Sequence, residues 1–572
     1  MPAWRAAVIG VVGLLAVGIG IAAGSFLLTA RTPGVGSAAA YVPADAPFFV
    51  EMRLEPSTAQ DGALRELLAR FPPIEGIDLD RSLYGQAIER IDALLAEQDA
   101  GVSWADDVAP WFDGHLAFAM TELTAEMMEM PDDPTGVPQV PSMIALLGVT
   151  NAAAAAAGID RLLAAAEGVT FTETQHAGVT IRSAEGSETG AYALADDQLI
   201  IGSDAEAVTV ALDTHATGGG TMAEVAEMTG LTETLPADWL VFATFDMTDL
   251  MAASLAGGAS ASPELAGAFR SLLEHQPLRG AMAVSASGNR VLLDSATDAP
   301  TGPFEVENAD RGLAGEVPSD ALYYSEAGNL GDAFVAVIGP MKEALATMPE
   351  AEEQISTVEA ALGANIEELV SWIDDGAIVI GYDGSRPYGG MVLVPNDVEA
   401  AERRLGQLAT FAGLGATDPT SGISVDEEEV AGTTVTTIRW QRPDAGAAVL
   451  PVPTGIVLQY AVTADRAIIG VGDGFVARAL ELDEPDSLGA EPRYISAIDE
   501  LGGSENAGVT WLDVAGTREA VETAIGPMLE AGDPDGIYES TIRPWLLPLD
   551  RAVSVVRLEG DVLVQRGALV VE

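Results

Sequence analysis

The feature that most constrains this chain is a block of sequence that occurs twice. Ala191–Asp213 (AYALADDQLIIGSDAEAVTVALD) returns, without a gap, as Gln459–Glu481 (QYAVTADRAIIGVGDGFVARALE), so that Tyr192 meets Tyr460, Asp197 meets Asp465 and Gly202 meets Gly470. Further anchors recur in the same order on either side. Val42-Pro43-Ala44-Asp45 meets Val317-Pro318-Ser319-Asp320, Trp111 and Asp113 meet Trp372 and Asp374, and Gly288 meets Gly560. Order kept over such distances marks an internal duplication. Each copy is long enough to fold by itself, which separates it from a solenoid repeat.

The period of the repeated block states what it builds. Apolar runs on both sides of Asp196-Asp197 predict a strand, a two-residue turn and a second strand. Gly202-Ser203-Asp204 then supplies a bend and an N-cap, and Ala207, Val208, Ala211 and Leu212 form the buried stripe of a helix. Asp473 is the expected cap in the second copy. Elsewhere the pattern gives a turn and a strand within 41–54, a strand opened by Trp111-Phe112-Asp113-Gly114 and ending near Met120, a strand at 142–150, an Ala-rich helix capped by Asn151, and hairpins turning at His176-Ala177-Gly178 and Gly288-Asn289. The expected class is α+β: a tandem duplication of a mainly antiparallel sheet with helices on one face, preceded by one transmembrane helix. The expected organisation is a short tail at 1–5, an anchor at 6–30, a linker at 31–40, a first repeat at 41–298, a linker at 299–315 and a second repeat at 316–572.

The anchor rests on length. Ala6 to Ala30 is an uncharged apolar run longer than the roughly 20 residues a membrane-spanning helix needs. Its rival is a cleaved signal peptide with a small-residue site at Ala38-Ala39-Ala40, whose apolar region is expected to be shorter. The bulk of the chain is expected outside the cytoplasm, held to the cell membrane by a single span. Acidic residues outnumber basic ones 87 to 27, for a net charge of −60, which repels nucleic acid and favours solubility. There is no cysteine, so disulfides, thiolate metal sites and cysteine nucleophiles are excluded.

No strong catalytic motif emerges. Gly470-Val471-Gly472-Asp473-Gly474 lacks the glycine spacing and the surrounding βαβ unit of a dinucleotide fingerprint. His115, His176, His215 and His275 are not spaced as a zincin pair, and no GxSxG elbow is present. Met127, Met128 and Met130 read as packing residues of a loop rather than copper ligands. Asp533, Asp535 and Glu539 fall short of a calcium loop. No metal or cofactor is expected. The recurring aromatics Trp111, Trp372, Tyr192 and Tyr460 either line two equivalent pockets or anchor two cores, and core anchoring is the commoner role.

The Tyr41-Val42-Pro43-Ala44-Asp45-Ala46 opening, the Trp111-Phe112-Asp113-Gly114 strand start and the Tyr192–Asp213 block resemble the bacterial domain of unknown function 3352 family. That resemblance covers most of the chain after Tyr41 and, because the family has no assigned activity, implies no catalytic residues. The expected function is that of an anchored, extracytoplasmic, non-catalytic protein that binds a small ligand or an envelope partner. The alternatives are a carboxylate-based, calcium-dependent hydrolase of cell-wall or carbohydrate substrates, and a structural spacer.

Overall fold

The computed structural model describes residues 37–97, 102–122, 142–165, 170–184, 190–224, 226–248, 251–252, 263–417, 421–441, 455–532 and 536–572. The expected anchor at 6–30 and the methionines at 127, 128 and 130 lie outside the described residues, as do Asp533 and Asp535. Among the described residues no helix is long and apolar enough to cross a membrane. The chain divides into two compact units, one of 1–257, 278–298 and 571–572, the other of 258–277 and 299–570.

In the first unit the strands are β1 (Phe48–Arg53), β2 (Phe112–Glu122), β3 (Ser142–Val149), β4 (Phe171–His176), β5 (Val179–Ala184), β6 (Ala191–Leu194), β7 (Gln198–Gly202), β8 (Val241–Asp246), β9 (Arg279–Ser287) and β10 (Arg290–Asp298). They form one antiparallel sheet in the order β4-β5-β6-β7-β3-β2-β1-β8-β9-β10. Helices Thr58–Leu68, Leu83–Glu97 and Trp104–Asp107 connect β1 to β2, Ala152–Ala165 connects β3 to β4, and Ala205–Thr217 comes after β7.

The second unit contains a two-residue ribbon of β11 (Ala309–Asp310) and β19 (Glu505–Asn506). Its main strands are β12 (Ala321–Ala327), β13 (Ile373–Tyr382), β14 (Pro387–Pro395), β15 (Ile423–Val430), β16 (Thr433–Gln441), β17 (Gly455–Val462), β18 (Ala467–Val471), β20 (Gly508–Asp513), β21 (Leu549–Glu559) and β22 (Val562–Val571). The pairing order β15-β16-β17-β18-β14-β13-β12-β20-β21 repeats that of the first unit strand for strand. Helix Pro263–Leu273, which lies between β8 and β9 in sequence, belongs to this unit and runs alongside helix Leu330–Ala346.

The repeated block folds as its period requires. In the first copy Asp204 caps helix Ala205–Thr217, accepting the Ala207 amide at 2.8 Å. The second copy departs from expectation: Gly474, at φ 104°, is the N-cap of helix Phe475–Leu480, and Asp473 instead pairs with Arg439 at 3.0 Å. With no Cβ, glycine enters this left-handed conformation at no steric cost, which frees the aspartate from capping.

Helices lie against both faces of each sheet, which corrects the expectation of one covered face. On one face of the first unit, Leu147 and Leu199 pack with Ala155 and Ile159 of helix Ala152–Ala165. On the other, Leu146 and Ile200 are fully buried, and Val208 of helix Ala205–Thr217 closes on Gly202. The reason is written in the central strands. SMIALLGV and QLIIG are continuous apolar runs, as doubly covered strands require, and not alternating ones.

Candidate functional site

Three features compete as the site: the recurring aromatics, a pair of buried glutamates, and an open apolar face. The aromatics are core anchors. Trp111 and Trp372 are buried, and each indole N–H donates to a backbone carbonyl one turn back, Asp107 at 2.5 Å and Leu369 at 2.7 Å. Trp111 and the half-buried Tyr192 belong to one apolar cluster, Trp372 and the buried Tyr460 to its counterpart. The Tyr192 hydroxyl accepts from Arg182 at 2.9 Å, and Arg182 also holds Asp160 and Glu173. These bonds fix a core edge beside Tyr192.

The glutamates were not singled out by sequence reasoning. Glu51 on β1 and Glu326 on β12 stand at the same distance from the matched Val-Pro motifs, and both are buried, at 0% and 3% exposure. The residues paired directly with each on the neighbouring strands are apolar: Ala117 and Phe242 beside Glu51, Ala377 and Val509 beside Glu326. A carboxylate in such a place must be hydrogen-bonded or protonated. The available signal was a lone acid within FFVEM and YYSEA, two strands that otherwise read as core.

The two copies satisfy the acid differently. In the first, His115 Nδ1 lies 2.8 Å from Glu51 Oε1, and the backbone N–H of His115 donates to Asp113 Oδ1 at 2.8 Å. Burial disfavours the imidazolium, but the hydrogen bond and charge of Glu51, with Asp113, outweigh it and raise the His115 pKa. Arg53, two residues on from Glu51, lies over the Trp239 ring at 3.4 Å. In the second copy the position of Arg53 is taken by Gly328, and the Arg311 guanidinium fills the space a side chain would need. Arg311 is itself buried, bonded to Asp375 at 2.8 Å and to the carbonyl of Asn506 at 3.1 Å. Glu326 accepts the Tyr324 hydroxyl, and its pKa is raised to about 7, chiefly by burial, with Tyr324 and Arg311 opposing. Both glutamates thus serve as packed interior groups; neither meets solvent.

The third feature lies on the other face of the second sheet. On β13, Ile378 and Ile380 are half exposed, and Val471 on β18 is 59% exposed. Register places them in rows. Ile378 pairs with Met391, and Met391 with Ile469; one row further, Ile380 pairs with Gly389, Gly389 with Val471 and Val471 with Leu458. A third row joins Ile456, 57% exposed, to Trp440, 44% exposed. The surface is continuous because alternate residues of adjacent strands share a face. Across β13, β14, β18, β17 and β16 these rows carry no charged side chain. Gly389 makes a dent in the middle row: a Cβ there would meet nothing nearer than the Val379 carbonyl at 3.6 Å. Helix Val398–Ala416 borders the rows, with Gly415 against Ile423 and with Phe411 and Leu414 exposed.

The first unit presents less. There the residues matching Ile378 and Ile380 are Phe118 and Met120, neither of them exposed, and the row of Phe118, Ala145, Ile201 and Tyr192 ends on the charged Arg182 cluster. Contiguous exposed apolar surface of this kind marks a binding region more often than scattered hydrophobic residues do. Among the described residues no group of three His, Asp or Glu side chains is arranged to hold a metal ion.

Comparison with known proteins adds a family and little else. No curated protein matches this chain. Two solved structures, crystal forms I and III of TP0453, are similar at 8% identity; they cover 47% of this chain and 81% and 82% of their own, with TM-scores of 0.23 and 0.24. Likeness at that level carries no argument about function. The model of the family described as "Protein of unknown function (DUF3352)" matches residues 7–533, and the chain belongs to that family.

Proposed function

We propose that this protein is a membrane-anchored, extracytoplasmic binding protein, built as a tandem duplication, whose second unit engages an apolar partner through its open sheet face without catalysis. The observation that carries the reading is the uncharged surface running from Ile378 and Ile380 to Trp440 and Ile456. Exposing it costs solubility, and a chain otherwise so acidic retains it to a purpose. The perturbed carboxylate Glu326 faces packed core, which favours binding over hydrolysis.

Retention of the anchor is supported by the residues on its C-terminal side. Ser37–Tyr41 is a folded 3₁₀ turn; Ala38, Ala39 and Tyr41 are buried, and the Ser37 hydroxyl accepts from Gln198 at 2.7 Å. Cleavage after Ala40 would strip three of these residues from the first unit. This favours a retained span at 6–30 over a leader cleaved after Ala40.

The test uses single cysteines, for which the cysteine-free chain is well suited. Ile456→Cys on the face and Glu428→Cys on the acidic edge strand β15 are labelled in intact cells with an impermeant benzophenone maleimide and irradiated. Labelling without lysis and a discrete adduct from position 456 alone are expected. Labelling that requires lysis contradicts the location, and equal or absent adducts at the two positions contradict the binding face.

A further inference from the structure

We infer that the open face of the second unit is a cradle for one hydrocarbon chain of a lipid, a conclusion that rests on the binding reading above and names its occupant. The argument begins with composition. Protein interfaces concentrate Tyr, Trp and Arg and supply roughly one hydrogen bond per 100–200 Å². The rows here present Ile, Val, Leu and Met, with Trp440 only at the far end and no charged group to bond. An occupant that asks for no hydrogen bonds fits this floor; a polar protein surface would lose its own hydration without return.

Charge removes two rivals. A second copy of a chain with net charge −60 is repelled at every approach, and the neighbouring edge strand β15 carries Asp426, Glu427, Glu428 and Glu429. An anionic membrane surface is repelled for the same reason. A neutral hydrocarbon tail meets no electrostatic penalty, and its burial gains free energy in proportion to the apolar area covered.

Shape then narrows the choice among apolar ligands. The missing side chain of Gly389 leaves a trough between Ile380 and Val471 in the middle row. Five strands, from β13 across to β16, lie along that uncharged row, with the dent at Gly389 within it; with strands about 4.8 Å apart the row is roughly 19 Å long, which suits an extended acyl tail lying along it better than a compact ring system. Gly390, the next residue, points the opposite way, where a Cβ would strike Phe475 at 2.2 Å. Adjacent glycines therefore have different purposes, one for packing the core and one for opening the face.

The experiment uses the full chain reconstituted into vesicles doped with a phospholipid bearing a diazirine near the end of one acyl chain. After irradiation, adducts are mapped by peptide mass spectrometry. The expected result is adducts on β13, β14, β17 and β18 in addition to those on residues 6–30. Gly389→Leu, which fills the trough, and Val471→Asp, on an exposed position, should each lower the sheet adducts about tenfold, as loss of apolar contact predicts, while leaving adducts at 6–30 unchanged as an internal control. The second variant keeps the test valid if the first disturbs the strand. Adducts confined to 6–30 overturn the cradle. If the same face instead forms protein–protein cross-links through Ile456→Cys, the acyl occupant is wrong but the binding reading stands; if neither lipid nor protein is captured there, both fall.

Discussion

Tyr324 donates its hydroxyl hydrogen to Glu326 two residues along the same face of β12, so a phenol and a carboxyl share one interior site. Burial raises the Glu326 pKa to about 7, against the opposing effects of Tyr324 and Arg311. The folded state then holds a proton that the unfolded chain has already released. Stability from this group is present at acid pH and is lost as pH rises from about 5 through 7, by up to about 3 kcal/mol. Glu326→Gln should flatten that slope and leave the second unit more stable than the parent at pH 8. Urea unfolding at pH 5 and pH 8 measures both; an unchanged slope would contradict the assignment.

His115 makes the first unit respond in the same direction by other means. Its pKa is raised, so the ion pair with Glu51 is fully present below the ordinary histidine value near 6.5 and is lost as pH climbs through the folded value. With only four histidines in the chain, the titration is accessible to NMR. His115 should titrate above the ordinary value, and in Glu51→Gln its pKa should fall from that of the parent, because burial is then opposed by Asp113 alone. His115→Ala should cost roughly 2 kcal/mol at pH 6 through the lost charged hydrogen bond.

Neighbouring glycines on β14 give a contrast in packing. A Cβ at Gly390 would sit 2.2 Å from Phe475 and 2.4 Å from the Ile469 carbonyl, so Gly390→Ala forces the strand and helix Phe475–Leu480 apart. Overpacking of this kind costs about 1–3 kcal/mol. Gly389→Ala meets only the Val379 carbonyl, at the ordinary contact distance of 3.6 Å, and should change the melting temperature little. Paired thermal melts decide the matter, and equal losses would show that the two faces are not distinct.

The turn before β1 makes a prediction about the chain's natural start. Ala39 is fully buried, and the Tyr41 hydroxyl donates to Asp197 at 2.6 Å while its ring stacks on His215 at 4.0 Å. A chain beginning at Tyr41 loses Ser37 and the two buried alanines. It should melt below one beginning at Ser37, with a loss of about 1–3 kcal/mol from removed buried methyl groups and one hydrogen bond. Identical melting would remove the argument for a retained upstream segment.

Much of this architecture was legible because it repeats. The doubled block fixed the β6–β7 and β17–β18 hairpins and their succeeding helices, and the recurring tryptophans and tyrosines mark equivalent places in the two cores. Double coverage of the sheets was present in the uninterrupted apolar runs of β3 and β7 but was outweighed by the hairpin pattern. The buried acids were hidden by abundance: among 87 acidic residues, one Glu in a strand draws no notice unless its match in the other copy is sought. Arg311 could not be found from sequence, since its bond to Asp375 joins residues 64 positions apart. The open face was illegible for a related reason. Ile378, Ile380, Val471 and Ile456 read as ordinary strand residues, and only the register that aligns them, together with their exposure in the fold, makes them a surface.

The most direct test of the central claim is the labelling rate of Ile380→Cys relative to Glu428→Cys in the full chain within its own envelope, each normalised to the rate in urea. Both parent positions are exposed in the isolated fold, so an unoccupied face would give comparable rates. The binding account predicts that Ile380→Cys reacts at least about tenfold more slowly, as an occupied site should. Equal rates would mean that nothing sits on the face and would contradict the account.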